Sequence, residues 1–200
     1  MIPSADPDRC VLSQYLITDY RCDILMKSKD IAIVGILLAV GAILRYFLAM
    51  LHTPLTPNMI IAFYCLAIIL IQPKVYEALG IGIVAGLLSM LISSSMFPPA
   101  NLISEPLGAL TCFGLYAILK SRTKLAPTVT TFLSTLVSGF SFAAIAILCV
   151  GATILAKYNG NIGDFVIVFV PIVIITAVFN AIIVQILYLP SSRVLVRGQE

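Results

Sequence analysis

The run PNMIIAFYCLAIILIQPK, Pro57 to Lys74, decides how this chain is read. Apolar residues fill every position from Met59 to Ile71, and a proline pair flanks each side: Pro57–Asn58 before, Gln72–Pro73 after. As a helix the run reaches about 20 Å, against roughly 30 Å of hydrocarbon in a bilayer. It is too short for an ordinary span. We therefore expect a short, partly buried helix at this place, inside a membrane protein.

Five longer apolar segments surround it. The first runs from about Ile31 to Leu51, the third from Val75 to about Ile92, and the fourth from about Ile103 to Leu119. The fifth starts at Pro127, a favourable first-turn proline, and extends towards Ala156. The sixth covers about Ile162 to Leu189, with Pro171 inside it as an expected kink.

Whether the short run crosses is settled by the basic residues. With six crossings, Arg9, Arg21, Lys27, Lys29, Lys74, Lys120, Arg122, Lys124, Arg193 and Arg197 share one side. Only Lys157 falls on the other, and Arg45 lies inside the first span. With five crossings the charges scatter. The expectation is a six-helix, all-α transmembrane bundle with both termini in the cytoplasm of a cell bounded by this plasma membrane.

Composition agrees. The 200 residues are 60% hydrophobic and 10% charged, with a mean hydropathy of +1.10. Soluble domains carry about 25% charged residues. The expected organisation is a polar N-terminal extension over 1–29, the bundle over 30–190 and a short tail over 191–200. The extension carries Asp6, Asp8, Asp19 and Asp23 and lacks an apolar core behind a basic start, so it does not read as a signal peptide. Met26 is an alternative start. No dense basic patch with aromatics suggests nucleic acid. The five cysteines form no CxxC pair and stand beside a single histidine, so no zinc site and no cofactor is expected.

The polar residues near the outer ends carry the chemistry. Three outer loops are read: HTPLTPN (His52–Asn58), SSSMFPPANLISEP (Ser93–Pro106) and AKYNGN (Ala156–Asn161). Two are stiffened by proline, as a lid over a solute pocket requires. Arg45, in the outer half of the first span, is costly at mid-depth, at least ~2.5 kcal/mol if unpaired. It reads as a clamp for a substrate carboxylate, as a snorkelling side chain, or as a partner of Glu105. Glu105 reads as a helix N-terminal carboxylate or as a contact to a substrate amine. Asn58, Ser95 and Asn101 are hydrogen-bonding candidates, with His52, Ser93 and Ser94 behind them. Tyr46, Phe97 and Tyr158 are candidates to stack on an aromatic ligand, or belt residues. Asp164 reads as an N-cap, and Asn180 and Gln185 as interhelical hydrogen-bonding groups.

Small-residue ridges are frequent: Gly35 and Ala39, then Ala78, Gly82 and Gly86, then Ser134, Ser138 and Ser141. They allow close helix approach inside the bundle or against a partner. The sequence holds no phosphate-binding GxxxxGK[ST], no HExxH and no GxSxG followed by histidine. An enzyme is not expected.

Two stretches carry a family resemblance. TPNMIIAFYCLAIIL (Thr56–Leu70) and LGIGIVAGLLSMLISSSMFPPANLISEPLGAL (Leu79–Leu110) resemble the S components, or substrate-binding subunits, of energy-coupling factor transporters, closest to the tryptophan-transporter branch. The resemblance covers roughly 30–120. It implies uptake of a small solute, most readily tryptophan, through a pocket under outer loops one, three and five. It implies as partners a coupling transmembrane subunit, which Gly35 and Ala39 would face, and two ATPases. A vitamin (riboflavin, biotin or a thiamin precursor) remains the alternative solute. A membrane scaffold without ligand is the alternative class.

Overall fold

A computed structural model describes residues 27–50, 58–93, 95, 97–157 and 160–197, with the side chains of 192–197 excepted. The described chain forms six α-helices and one short 3-10 turn. They are α1 (Ser28–Met50), α2 (Met59–Ile71), α3 (Val75–Ile92), the turn Pro98–Ala100, α4 (Asn101–Leu119), α5 (Ala126–Lys157) and α6 (Ile162–Arg197). Five are long and apolar enough to cross a membrane, and α2 is the shorter sixth. The chain is a helical membrane bundle.

Helix α2 is the axis of the bundle. Among the described residues it packs against all five other helices, whereas α1 touches only α2 and α3. No residue from Met59 to Ile69 is more than 5% exposed. That explains the unbroken apolar run: a helix with neighbours on every side has no polar face to show. Its N-terminal end is unusual. Asn58 occupies the cap position but makes no side-chain capping bond. At the other end Gln72 takes a left-handed conformation, φ 49°, and its N–H closes on Ile68 O.

The GxxxG of α3 packs inside the bundle. A Cβ on Gly82 would lie 2.7 Å from Pro106 Cα, and one on Gly86 would lie 2.9 Å from Asn101 O. Two glycines thus bring the α3 backbone against the first turns of α4. The outer surface is the reverse of a soluble protein's. Leu91, Leu148 and Ile167 are 77%, 85% and 72% exposed, as lipid contact demands.

Three boundaries depart from expectation. Helix α4 begins at Asn101, so Glu105 sits a full turn inside it and is not a terminal carboxylate. Helix α5 is interrupted at Val150, whose φ −130° and ψ 29° are not helical; the break precedes Gly151, the most permissive residue type. Helix α6 passes through both Pro171 and Pro190 and continues to Arg197, so the expected tail begins as helix.

Candidate functional site

A cavity of about 560 Å³ opens among the six described helices and the loop that carries the 3-10 turn. That is within the usual range for small-molecule sites. Its wall has two poles.

The polar pole is organised by Asn58. Arg45 Nη1, from α1, donates to Asn58 Oδ1 at 2.7 Å. Asn58 Nδ2 donates to Glu105 Oε1 of α4. The other carboxylate oxygen, Oε2, accepts from Ser138 Oγ of α5 at 3.2 Å. Among the described residues, the guanidinium and the carboxylate are thus linked through one amide, with no ion pair closing directly between them. Helix α6 joins through Asn180, whose Nδ2 donates to Asn58 O at 3.1 Å and to Thr135 Oγ1 at 3.4 Å. The amide orientation of Asn58 follows from its neighbours: only oxygen towards arginine and nitrogen towards carboxylate satisfies both. This explains why Asn58 leaves its own helix uncapped.

Glu105 is 1% exposed, Asn101 3% and Ser138 2%. A carboxylate so deep in an apolar bundle needs partners, and here it has two donors and a nearby cation. Gly108, one turn further along α4, lets this happen. A Cβ there would run into the Tyr64 hydroxyl and lie 3.0 Å from Ser138 Cβ.

The apolar pole is aromatic. Phe165 and Phe169 of α6 are stacked, with centroids 5.2 Å apart and planes at 23°. Phe97 and Phe142 also line the cavity. Ala143, Ala146, Ile154 and Phe165 form the small buried cluster beneath, against which Phe97, Phe142 and Phe169 pack. Ile154, beyond the break at Val150, belongs to this cluster and lines the cavity, as does Lys157 at the end of the helix.

Six of the expected site residues meet here: Arg45, Asn58, Ser95, Phe97, Asn101 and Glu105 all line the cavity. Asn101 also holds the turn, its Nδ2 donating to Pro98 O at 2.8 Å. Ser95 N–H donates to Ser93 Oγ at 3.2 Å, and the two hydroxyls bond at 2.8 Å. Tyr46 lies elsewhere. One position past Arg45 turns the side chain by roughly 100°, and Tyr46 is 54% exposed on the outer face, edge-on to Phe47. Tyr158, His52 and Ser94 lie outside the described residues. Asn180 and Gln185 make the expected interhelical bonds, Gln185 to Thr128. Gly35 and Ala39 lie on the exposed face of α1, and a Cβ on Gly35 would meet nothing within 4 Å.

The sequence reading missed Ser104, Thr135, Ser138, Phe142, Phe165 and Phe169, which line the same cavity. Ser138 was visible only as part of a small-residue ridge. Phe165 and Phe169 carried one usable signal, an i,i+4 aromatic pair at the start of the last span.

A helical membrane bundle with a cavity that offers a charged pole and an aromatic pole is, as a class, a membrane transport protein for a small solute. The comparisons are specific. The model of the family "Tryptophan transporter TrpP" matches residues 27–196, and the chain belongs to that family. A relative from Bacillus subtilis (strain 168), named "Probable tryptophan transport protein", is 32% identical over 167 residues, covering 82% of this chain and 90% of its own. No solved structure matches the chain.

Proposed function

We propose that this protein takes up tryptophan, bound as a zwitterion with its indole in the aromatic pole of the cavity. The observation that carries the reading is the placement of Arg45 and Glu105 at one end of a cavity whose other end is Phe97, Phe142, Phe165 and Phe169. An α-amino acid brings a carboxylate and an ammonium a few ångströms apart. Arg45 suits the first through charge-assisted, bidentate bonds, and Glu105 suits the second. Asn58 bridges both side chains and yields them to the ligand. The stacked phenylalanines offer faces and edges to the indole ring. Ser95 and Asn101 complete the lining between the two poles.

The test is a thermal-shift titration of the purified protein in detergent. A ligand that binds only the folded state raises the melting temperature. Tryptophan is expected to do so at low concentration. Tryptamine, without the carboxylate, and indole-3-propionate, without the ammonium, should each bind at least about 100-fold more weakly, since each strands one buried charge. Equal shifts from tryptamine and tryptophan would refute the zwitterion reading. A shift from riboflavin, biotin or a thiamin precursor alone would replace the substrate.

The same proposal extends to partners and placement. The distribution of positive charges supports a plasma-membrane orientation with both termini on the cytoplasmic side. The exposed Gly35–Ala39 face of α1, with no side chain packed over Gly35, suits a closely packed transmembrane coupling subunit, itself joined to two ATPases. Gly35→Leu is expected to leave tryptophan binding within about twofold while abolishing co-purification with that subunit. Unchanged co-purification would rule this face out.

A further inference from the structure

We infer that Ser104 is the residue that reads the indole N–H, and so separates tryptophan from ring systems of the same shape. The inference rests on the uptake reading above.

Ser104 lines the cavity, on the same α4 face as Asn101 and Glu105. It is 1% exposed, and among the described residues its hydroxyl has no hydrogen-bond partner. Ser89 and Thr130 also leave a buried hydroxyl unpartnered, but neither of them lines the cavity. Thr131, Ser134, Thr135 and Thr176 all donate to the carbonyl one turn back, at 2.7–2.8 Å. A helical hydroxyl that forgoes this bond and is sealed from water loses a stabilising interaction, because buried polar groups are normally paired.

The ligand has one group to match it. The carboxylate and ammonium of tryptophan are taken by Arg45 and Glu105. The indole N–H is the remaining polar atom, a donor only. Left unpaired in an aromatic pocket it would also be stranded. A serine oxygen on the α4 wall, adjoining the residue that holds the ammonium, is a fitting acceptor. Asn101, the neighbour on that face, donates its amide nitrogen to Pro98 O but keeps an acceptor in Oδ1, so Asn101→Ala enters the test as the competing variant.

The test compares two ligands in each protein: tryptophan and β-(3-benzothienyl)alanine, in which sulfur replaces the N–H at nearly the same shape. Wild-type protein is expected to prefer tryptophan by about five- to tenfold, the yield of one hydrogen bond. In Ser104→Ala the preference should fall to about one, through weaker tryptophan binding with benzothienylalanine little changed. The ratio is taken within each protein, so a general loss of stability cancels. A wild-type ratio near one overturns the inference without any variant, and leaves tryptophan uptake standing. A preserved ratio in Ser104→Ala overturns it too, as does a collapse confined to Asn101→Ala. Failure of wild-type protein to bind tryptophan at all overturns both readings.

Discussion

Arg45→Met is expected to raise the dissociation constant for tryptophan by at least about 100-fold while the protein still folds. The guanidinium carries five N–H donors, and its bond to Asn58 uses one of them. Among the described residues no other bond takes up the rest, which suits a carboxylate. Truncating one member of a buried charged contact costs about 2–5 kcal/mol, and 100-fold is about 2.7 kcal/mol. Folding should survive because the site lies at the edge of α1, which packs on only two helices, and methionine keeps the apolar stem. Arg45→Lys should recover part of the loss, since a lysine supplies charge without the planar fork. Calorimetric titration in detergent, with circular dichroism as the control for folding, decides the matter. Binding within threefold of wild type would remove Arg45 from the carboxylate site. It would leave the arginine as a structural partner of Asn58.

The largest effect on stability is expected at Gly82. A Cβ there would stand 2.7 Å from Pro106 Cα and 2.8 Å from Ala109 Cβ. Real Cβ contacts are never that short, and the first obstacle is backbone, so α3 and α4 must move apart. Gly82→Ala should cost about 3 kcal/mol, the upper end of overpacking effects. Separation of α3 from α4 would also shift Asn101 and Glu105, so tryptophan affinity should fall with it. Gly80→Ala is the control. The same helix and the same added methyl meet nothing within 4 Å at that position, and the better helix propensity of alanine should raise stability by up to about 1 kcal/mol. Opposite signs in thermal unfolding at two glycines one half-turn apart would establish the close crossing. Equal, small effects would disprove it.

Much of this was legible in the sequence because its physical basis is local. Hydrophobic runs and their proline flanks located all six helices, with Met59–Ile71 correct at both ends. Arg45, Asn58, Asn101 and Glu105 stood out because a bilayer penalises polar groups wherever they lie. What stayed hidden depends on how one helix is rotated against the next. Ser138 lies 33 residues from Glu105 and reaches it only through the packing of α4 on α5, which Gly108 permits. Phe142, Phe165 and Phe169 are ordinary membrane-helix residues until the packing of α5 on α6 brings them to one cavity. The position of Glu105 was misjudged for a related reason: Pro98 and Pro99 start a 3-10 turn that leads α4 in earlier than its apolar pattern suggested.

The central placement of α2 also bears on how the protein is made. Of the described helices a ribosome delivers this one second, yet its surroundings include α6, the last of them to emerge. Its 13 residues are too few to bridge the hydrocarbon alone. Left without neighbours, it would draw Asn58 and Gln72 into lipid, a cost that its own apolar side chains must offset unaided. The helix therefore settles only as the later ones arrive and close around it. A chain stalled before α6 would present an unfinished, lipid-exposed centre to membrane proteases, so the shortest helix makes survival in the cell contingent on complete synthesis.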